Sequence, residues 1–211
     1  TSKGRAIQNL INIEQDDKVM AFICTQDLKD EEYINSHYVI MATKKGQVKK
    51  TSLEQYSRPR TNGINAITIK EGDELLEAKL TRGDSQVMLA VKSGKAIRFE
   101  ESKTRPMGRN ASGVRGIRLA DDNDEVVGMI AINDQESEIL VVSEKGYGKR
   151  SSIEDYRITN RGGKGVRTMQ ITEKTGALVG MKGVTEADDL MVTTKDGIVI
   201  RLPVDQMRVM G

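Results

Sequence analysis

Four stretches of this 211-residue chain share one layout: "YVIMATKKGQVKKTSLEQY" from Tyr38, "QVMLAVKSGKAIRFEES" from Gln86, "EILVVSEKGYGKRSSIEDY" from Glu138 and "DLMVTTKDGIVIRLPVDQM" from Asp189. Each runs from an apolar, β-branched stretch through a two-residue polar-Gly turn into a second short strand. The turn glycines, Gly46, Gly94, Gly146 and Gly197, are 48, 52 and 51 residues apart. Glycine suits these turns because tight hairpins require a positive φ that side chains resist. A fixed period of this length restricts the chain to architectures built by stacking one supersecondary unit.

Between the hairpins lies a second series of strand-like pairs: 64–81, 114–132 and 166–184, with 6–24 fitting the same pattern. Four short strands per roughly 50 residues is the period of a propeller-type blade. Helical solenoids would need apolar stripes of period 3.6, and none of useful length occurs. "SLEQY" (52–56) and its copy "SIEDY" (152–156) allow a single helical turn each. The expected fold is therefore all-β, a propeller-like disc of four-stranded blades forming a single domain. Residues 1–37 are expected to end one blade, 38–85, 86–137 and 138–188 to form complete repeats, and 189–211 to begin another. Partial terminal repeats would leave open sheet edges, so the chain reads as a piece of a longer, more-bladed protein.

The repeat register makes the charges legible. Thirty-three Lys and Arg against 31 Asp and Glu give a net charge of only +2, which excludes a globally basic nucleic-acid binder but not a basic band. Four residues after each turn glycine sits a cation, Lys50, Arg98, Arg150 or Arg201, with Lys49 and Lys149 preceding two of them. The loops that follow add Arg58 and Arg60, then Arg105, Arg109 and Arg115, then Arg157, Arg161, Lys164 and Arg167. Equivalent positions on radial blades fall on equivalent rims, so these cations are expected to form a band. Acids gather instead at "EQDDK" (14–18), "EGDEL" (71–75) and "DDNDEV" (121–126).

Several chemistries are excluded. One histidine, His37, permits neither a Ser-His-Asp set nor a His-based metal cluster, and no phosphate-binding G-x-x-x-x-G-K-[ST] loop is present. Cys24, in the apolar run "VMAFIC", reads as a buried structural thiol. "DDNDE" lacks the glycine and terminal glutamate of a calcium loop and reads as a solvated turn. No metal and no cofactor is assigned to these residues. No stretch approaches a membrane span and no signal pattern opens the chain, so a soluble, cytoplasmic location is expected.

The anionic partner is narrowed by what is scarce. Aromatics make up 3% of residues, too few for the stacking platforms of single-strand binders. Cations on a curved rim without a base-reading element suit duplex DNA held by its phosphates and bent. "TNRGGKGVRT" (159–168) belongs to this series of rim loops: its glycines Gly162, Gly163 and Gly165 allow close backbone approach, and Arg161 and Lys164 are placed to meet phosphates.

The strings "TKKGQVKKT", "LTRGDSQVMLAVKSGKAIRF", "GVRGIRL" and "EKGYGKR" resemble the C-terminal domain of the A subunit of bacterial DNA gyrase, over essentially the whole chain. That resemblance implies a six-bladed β-pinwheel whose blades interlock by passing strands between neighbours. It implies positive wrapping of duplex DNA, by which a holoenzyme of gyrase A and gyrase B subunits introduces negative supercoils, with ATP and Mg2+ used elsewhere in that assembly. The family's box reads Gln-Arg-Arg-Gly-Gly-Lys-Gly on the first blade. Arg161 to Gly165 match its last five positions, whereas Thr159 and Asn160 depart from the first two. Two alternatives stand beside this reading: the corresponding domain of topoisomerase IV, and a propeller that docks partner proteins.

Overall fold

The computed structural model describes residues 4, 11, 13–133 and 138–210. Among these residues thirteen strands form four antiparallel sheets. The first sheet holds β1 (Tyr38–Thr43), β2 (Gln47–Ser52), β3 (Leu75–Thr81) and β6 (Val114–Arg115), in the order β3-β1-β2-β6. The second holds β4 (Gln86–Val91), β5 (Lys95–Glu100), β7 (Val126–Ile132) and β10 (Val166–Arg167), in the order β10-β5-β4-β7. β8 (Glu138–Ser143), β9 (Gly148–Ser152) and β11 (Leu178–Val184) form the third sheet, ordered β11-β8-β9. β12 (Asp189–Thr193) and β13 (Val199–Pro203) form the fourth.

Each repeat starts with the expected hairpin, and all four turn glycines have positive φ, from 84° to 92°. The turns are one residue longer than the two-residue form expected from sequence. Gly46 N–H closes onto the Thr43 carbonyl at 3.1 Å, and Gly94, Gly146 and Gly197 close onto Val91, Ser143 and Thr194 in the same way. Three turn residues with glycine last is the alternative hairpin in which the positive-φ residue makes a bulge.

The second half of each repeat departs from a simple blade. In the repeats starting at Gln86 and Glu138 its first arm does not pair within its own repeat but crosses to the preceding sheet, whereas 64–69 of the first repeat, expected as a strand, forms none. β6 belongs to the repeat that starts at Gln86, yet pairs with β2 (Val114↔Val48, Arg115↔Gln47). β10 likewise crosses to β5 (Val166↔Ala96, Arg167↔Lys95). The second arm returns to pair with its own repeat's first strand, as β3 with β1, β7 with β4 and β11 with β8. Each completed sheet thus ends on one side in a returning strand and on the other in a strand exchanged from the next repeat.

The sheets pack face to face. Ile40, Ala42 and Val48 of the first meet Val87, Leu89, Ile97 and Phe99 of the second. Met88 and Ala90 of the second meet Ile139 and Val141 of the third, with Tyr156 between. A sheet covered on both faces needs apolar side chains in both directions. That is why β4 reads as the continuous run "QVMLAV", buried from Val87 to Val91, and not as an alternation. β12 alternates between exposed and half-buried residues.

Residues 13–30 contain no strand, contrary to the pattern expected for 6–24, of which 6–10 and 12 lie outside the described residues. Ala21, Ile23 and Leu28 from this stretch instead pack on Val39, Met41, Leu53 and Ala78 of the first sheet. Cys24 is exposed, not buried as its apolar run suggested. A six-residue helix, α1 (Glu31–Ser36), follows, capped by Asp30, whose carboxylate accepts the Glu32 and Tyr33 N–H groups. The expected helical turns are 3-10 turns at Leu53–Tyr56 and Ile153–Asp155, and the repeats supply two more at Glu101–Lys103 and Val204–Gln206.

Candidate nucleic-acid interface

In the first three repeats the cation four residues after the turn glycine is not a rim residue. Lys50, Arg98 and Arg150 are 4%, 3% and 3% exposed. Each lies on the second strand of its hairpin, inside a sheet covered on both faces, so its side chain enters the seam with the next repeat. Arg98 is the best-defined case. Its Nε and Nη2 donate to Gln86 Oε1 (2.8 and 2.5 Å), and Nη1 donates to the Ile153 and Tyr156 carbonyls (3.0 and 2.9 Å) of the next repeat's 3-10 turn. Arg150 repeats the arrangement, with Nε 2.7 Å from Glu138, Nη2 3.2 Å from Glu186 and Nη1 donating to the Val204 carbonyl at 2.5 Å. Lys50 reaches Glu101 at 4.0 Å and lies over the Tyr38 ring.

In every repeat the residue bracing the cation is the first of the first strand: Tyr38, Gln86, Glu138 or Asp189. Among the described residues Arg201 keeps this brace alone, Asp189 at 2.6 Å, and its side chain is 72% exposed. Phosphate contact by Lys50, Arg98 and Arg150, expected from sequence, is therefore corrected: these three cations latch one repeat to the next. Their carbonyls serve the same seam. Lys50, Arg98 and Arg150 accept the N–H groups of Met107, Thr159 and Met210 at 2.7, 2.9 and 2.8 Å.

Lys49 also leaves the expected rim set, being fully buried on the other face of β2. Its Nζ donates to the Ala66 carbonyl, to the Arg109 carbonyl (2.6 Å) and to Tyr56 Oη (3.4 Å), tying two loops together. Burial, reinforced by the nearby Arg109 charge, holds its ammonium down to a pKa of about 8 from the usual 10.5. Between those values the unfolded chain binds a proton that the folded chain does not, so raising the pH stabilises the fold there. Urea unfolding is expected to show stability rising above pH 8 with a slope of up to roughly 1.4 kcal/mol per pH unit. Lys49→Met should lose that component, and a slope unchanged in this variant would contradict the assignment.

The remaining cations stay at or near the surface. Arg58, Arg60, Arg105, Arg115, Lys164 and Arg167 are exposed, as is Arg157, while Arg109, Lys149 and Arg161 are half-buried. Arg109 is restrained by its loop: its N–H donates to Gln55 Oε1 and its Nη1 to the Asn65 carbonyl, at 3.2 and 3.3 Å.

The "RGGKG" loop does not stand over its own repeat. Gly162 N–H donates to the Gly116 carbonyl, and the Gly163 carbonyl accepts the Arg118 N–H, both at 2.8 Å. Arg161 Nη1 donates to the Arg115 carbonyl at 2.6 Å. Gly116 N–H in turn donates to the Gly46 carbonyl of the first sheet at 2.7 Å. A hydrogen-bonded line Gly46–Gly116–Gly162 therefore joins three repeats. A Cβ at Gly116 would lie 2.6 Å from a Val48 methyl and 2.7 Å from a Leu89 methyl, both in the core, so a larger residue there would force those side chains to shift. Gly165, with φ 75°, presses against the Ala96 carbonyl and admits β10 to the second sheet. The loop thus brings Arg115, Arg118, Arg161 and Lys164 together on the exchanged-strand side of the first two sheets. Among the described residues none of the four is ion-paired.

The acidic turns are engaged elsewhere, against the tips of the first hairpins. Lys44 pairs with Glu74 at 2.7 Å, Asp73 accepts the Lys45 N–H, and Asp124 accepts both the Ser93 N–H and its hydroxyl. Among the described residues no group of three or more His, Cys, Asp and Glu is placed to hold a metal ion. No helix among them is long and apolar enough to cross a membrane.

A family model described as DNA gyrase C-terminal domain, beta-propeller, matches the chain four times, at residues 37–82, 86–133, 137–184 and 188–211. The chain belongs to this family. Its similarity to the DNA gyrase A subunit of Staphylococcus epidermidis (strain ATCC 12228 / FDA PCI 1200) is 46% identity over 204 residues, 96% of the chain. With the DNA gyrase A subunit of Staphylococcus aureus (strain NCTC 8325 / PS 47) identity is 43% over 204 residues. The chain spans 22% of the length of these two relatives. Two solved structures share the fold at 24% identity. One is a C-terminal domain of DNA topoisomerase IV (TM-score 0.88, 98% of this chain and 63% of that one). The other is a DNA gyrase A C-terminal domain (TM-score 0.81, 95% and 65%).

Proposed function

We propose that this chain is a duplex-DNA-wrapping module from the A subunit of a DNA gyrase, gripping phosphates along the side of the sheets where strands are exchanged. The observation that carries the reading is the cluster of Arg115, Arg161 and Lys164, which the backbone hydrogen bonds of the "RGGKG" loop hold in place without carboxylate partners among the described residues. Cations whose backbone is fixed by main-chain hydrogen bonds meet phosphate from a preset position, and a phosphate-directed cluster carries no base preference. Arg167, Arg105, Arg58, Arg60, Arg109, Lys149 and the open Arg201 extend the same role along the chain.

In the intact protein the module would serve an ATP-dependent type II topoisomerase built with gyrase B subunits. It would act in the cytoplasm beside the nucleoid, with ATP and Mg2+ used in other parts of that assembly. No catalytic role and no cofactor is proposed for these 211 residues. The family match and the 43–46% identities to gyrase A favour this over a topoisomerase IV module or a protein-docking propeller. The test is whether the chain changes the linking number of relaxed circular DNA.

A further inference from the structure

Arg118 is exposed and has no counterpart in register: the equivalent residues are Thr68 in the preceding repeat and Gln170 in the following one. Its backbone is nevertheless fixed from two sides. Ile117, one residue before, is 1% exposed in the core between the first two sheets. The Arg118 N–H is bonded to the Gly163 carbonyl, next to Lys164. A side chain anchored this way projects from a rigid base beside the "RGGKG" loop. Arg161 leans across the same junction, with Nη1 spent on the Arg115 carbonyl and Nε buried without a partner, so part of its donor capacity is already committed. Among the described residues Arg115 and Arg118 present the uncommitted guanidinium groups at this junction, and Arg118 is the one whose backbone is bonded to that of the "RGGKG" loop.

Resting on the DNA-binding reading above, we propose that Arg118 and the "RGGKG" loop form one composite phosphate seat across the seam. In it Arg118 makes a direct contact, and Gly116 and Gly162 set the register of the two halves. The seat is encoded by two repeats and mounted on the sheet of a third. It exists only when all three are docked.

The experiment measures binding of a roughly 20-base-pair duplex by the 211-residue chain across a salt series, because each phosphate contact contributes about 0.9 to the slope of log affinity against log salt. Arg118→Ala is expected to lower the slope by about one contact and weaken binding equally on unrelated sequences. Arg118→Lys should restore most of the slope. Lys174→Ala removes a cation of the turn at 172–175 that lies over Tyr147, and should change neither quantity. Thermal unfolding of Arg118→Ala is expected to match the parent, which separates a contact from a packing role. If the parent binds with a steep slope and Arg118→Ala keeps that slope, the composite seat is wrong and the wrapping module stands. If the parent shows no salt-dependent binding, both fall.

Discussion

Replacing Arg98 with alanine is expected to destabilise the chain by roughly 3–5 kcal/mol, although the residue lies near no active chemistry. The loss comes from what is left behind. Gln86 Oε1 and the Tyr156 carbonyl lose their described side-chain donor, and the Ile153 carbonyl loses one of two partners. Each buried acceptor left without a donor costs about 1–3 kcal/mol, and the vacated volume adds a cavity. Arg98→Lys keeps the charge but not the fork that spans Gln86 and two carbonyls, so it should recover only part of the loss. Arg201→Ala, at the same repeat position, should leave the unfolding midpoint where it was, because that side chain is solvent-exposed and braced by Asp189 alone. Urea unfolding of the three variants checks this. Equal effects at 98 and 201 would contradict the latch.

The second large effect falls on a turn glycine. Gly94 and Gly146 have nearly the same φ, 91° and 85°, and the same place in their repeats. Alanine at 146 meets nothing within 4 Å, so its cost is confined to backbone strain of about 1–2 kcal/mol. Alanine at 94 would run into the Met169 carbonyl and lie 2.8 Å from Ile171. The segment it displaces is the one whose Thr168 and Met169 N–H groups both donate to the Gly94 carbonyl. Gly94→Ala is therefore expected to cost roughly 3 kcal/mol or more and to undock the loop that follows β10. Proteolysis between 157 and 171 should accelerate in Gly94→Ala and not in Gly146→Ala. Indistinguishable stabilities would show that the packing at 94 adds nothing to the turn.

The contrast between these positions shows how far the sequence could be read. The repeat period and the four turn glycines gave the hairpins, because a positive φ leaves a local signature that context rarely overrides. Strand exchange leaves almost none. "VR" at 114–115 and at 166–167 reads as the first arm of a local pair, and only Gly113 and Gly165, pressed against the Val48 and Ala96 carbonyls, mark where the chain crosses to its neighbour. The latch cations were misplaced for a related reason. A cation recurring in register looks like a surface band when blades are imagined with wet outer strands. Here those strands are covered, and a recurring internal junction selects a recurring cation just as a recurring ligand contact would. The 3-10 carbonyls that make the difference come from main chain, which carries no residue-type signal. Arg118 escaped for the opposite reason: it breaks the register, so repeat comparison passes over it. "RGGKG" was visible as a glycine-rich cationic loop, but its docking one repeat back depends on hydrogen bonds to Gly116 and Arg118 that spacing does not reveal.

Whether duplex DNA bends around this chain is measured directly by trapped linking number. Relaxed circular DNA would be incubated with increasing amounts of the chain, closed by a nicking-closing enzyme, stripped of protein and resolved as topoisomers. Wrapping predicts a positive shift in the centre of the distribution, growing with the amount of chain bound, lost at high salt and reduced when Arg115, Arg161 and Lys164 are replaced together. A distribution that does not move while the DNA is saturated with protein would contradict wrapping.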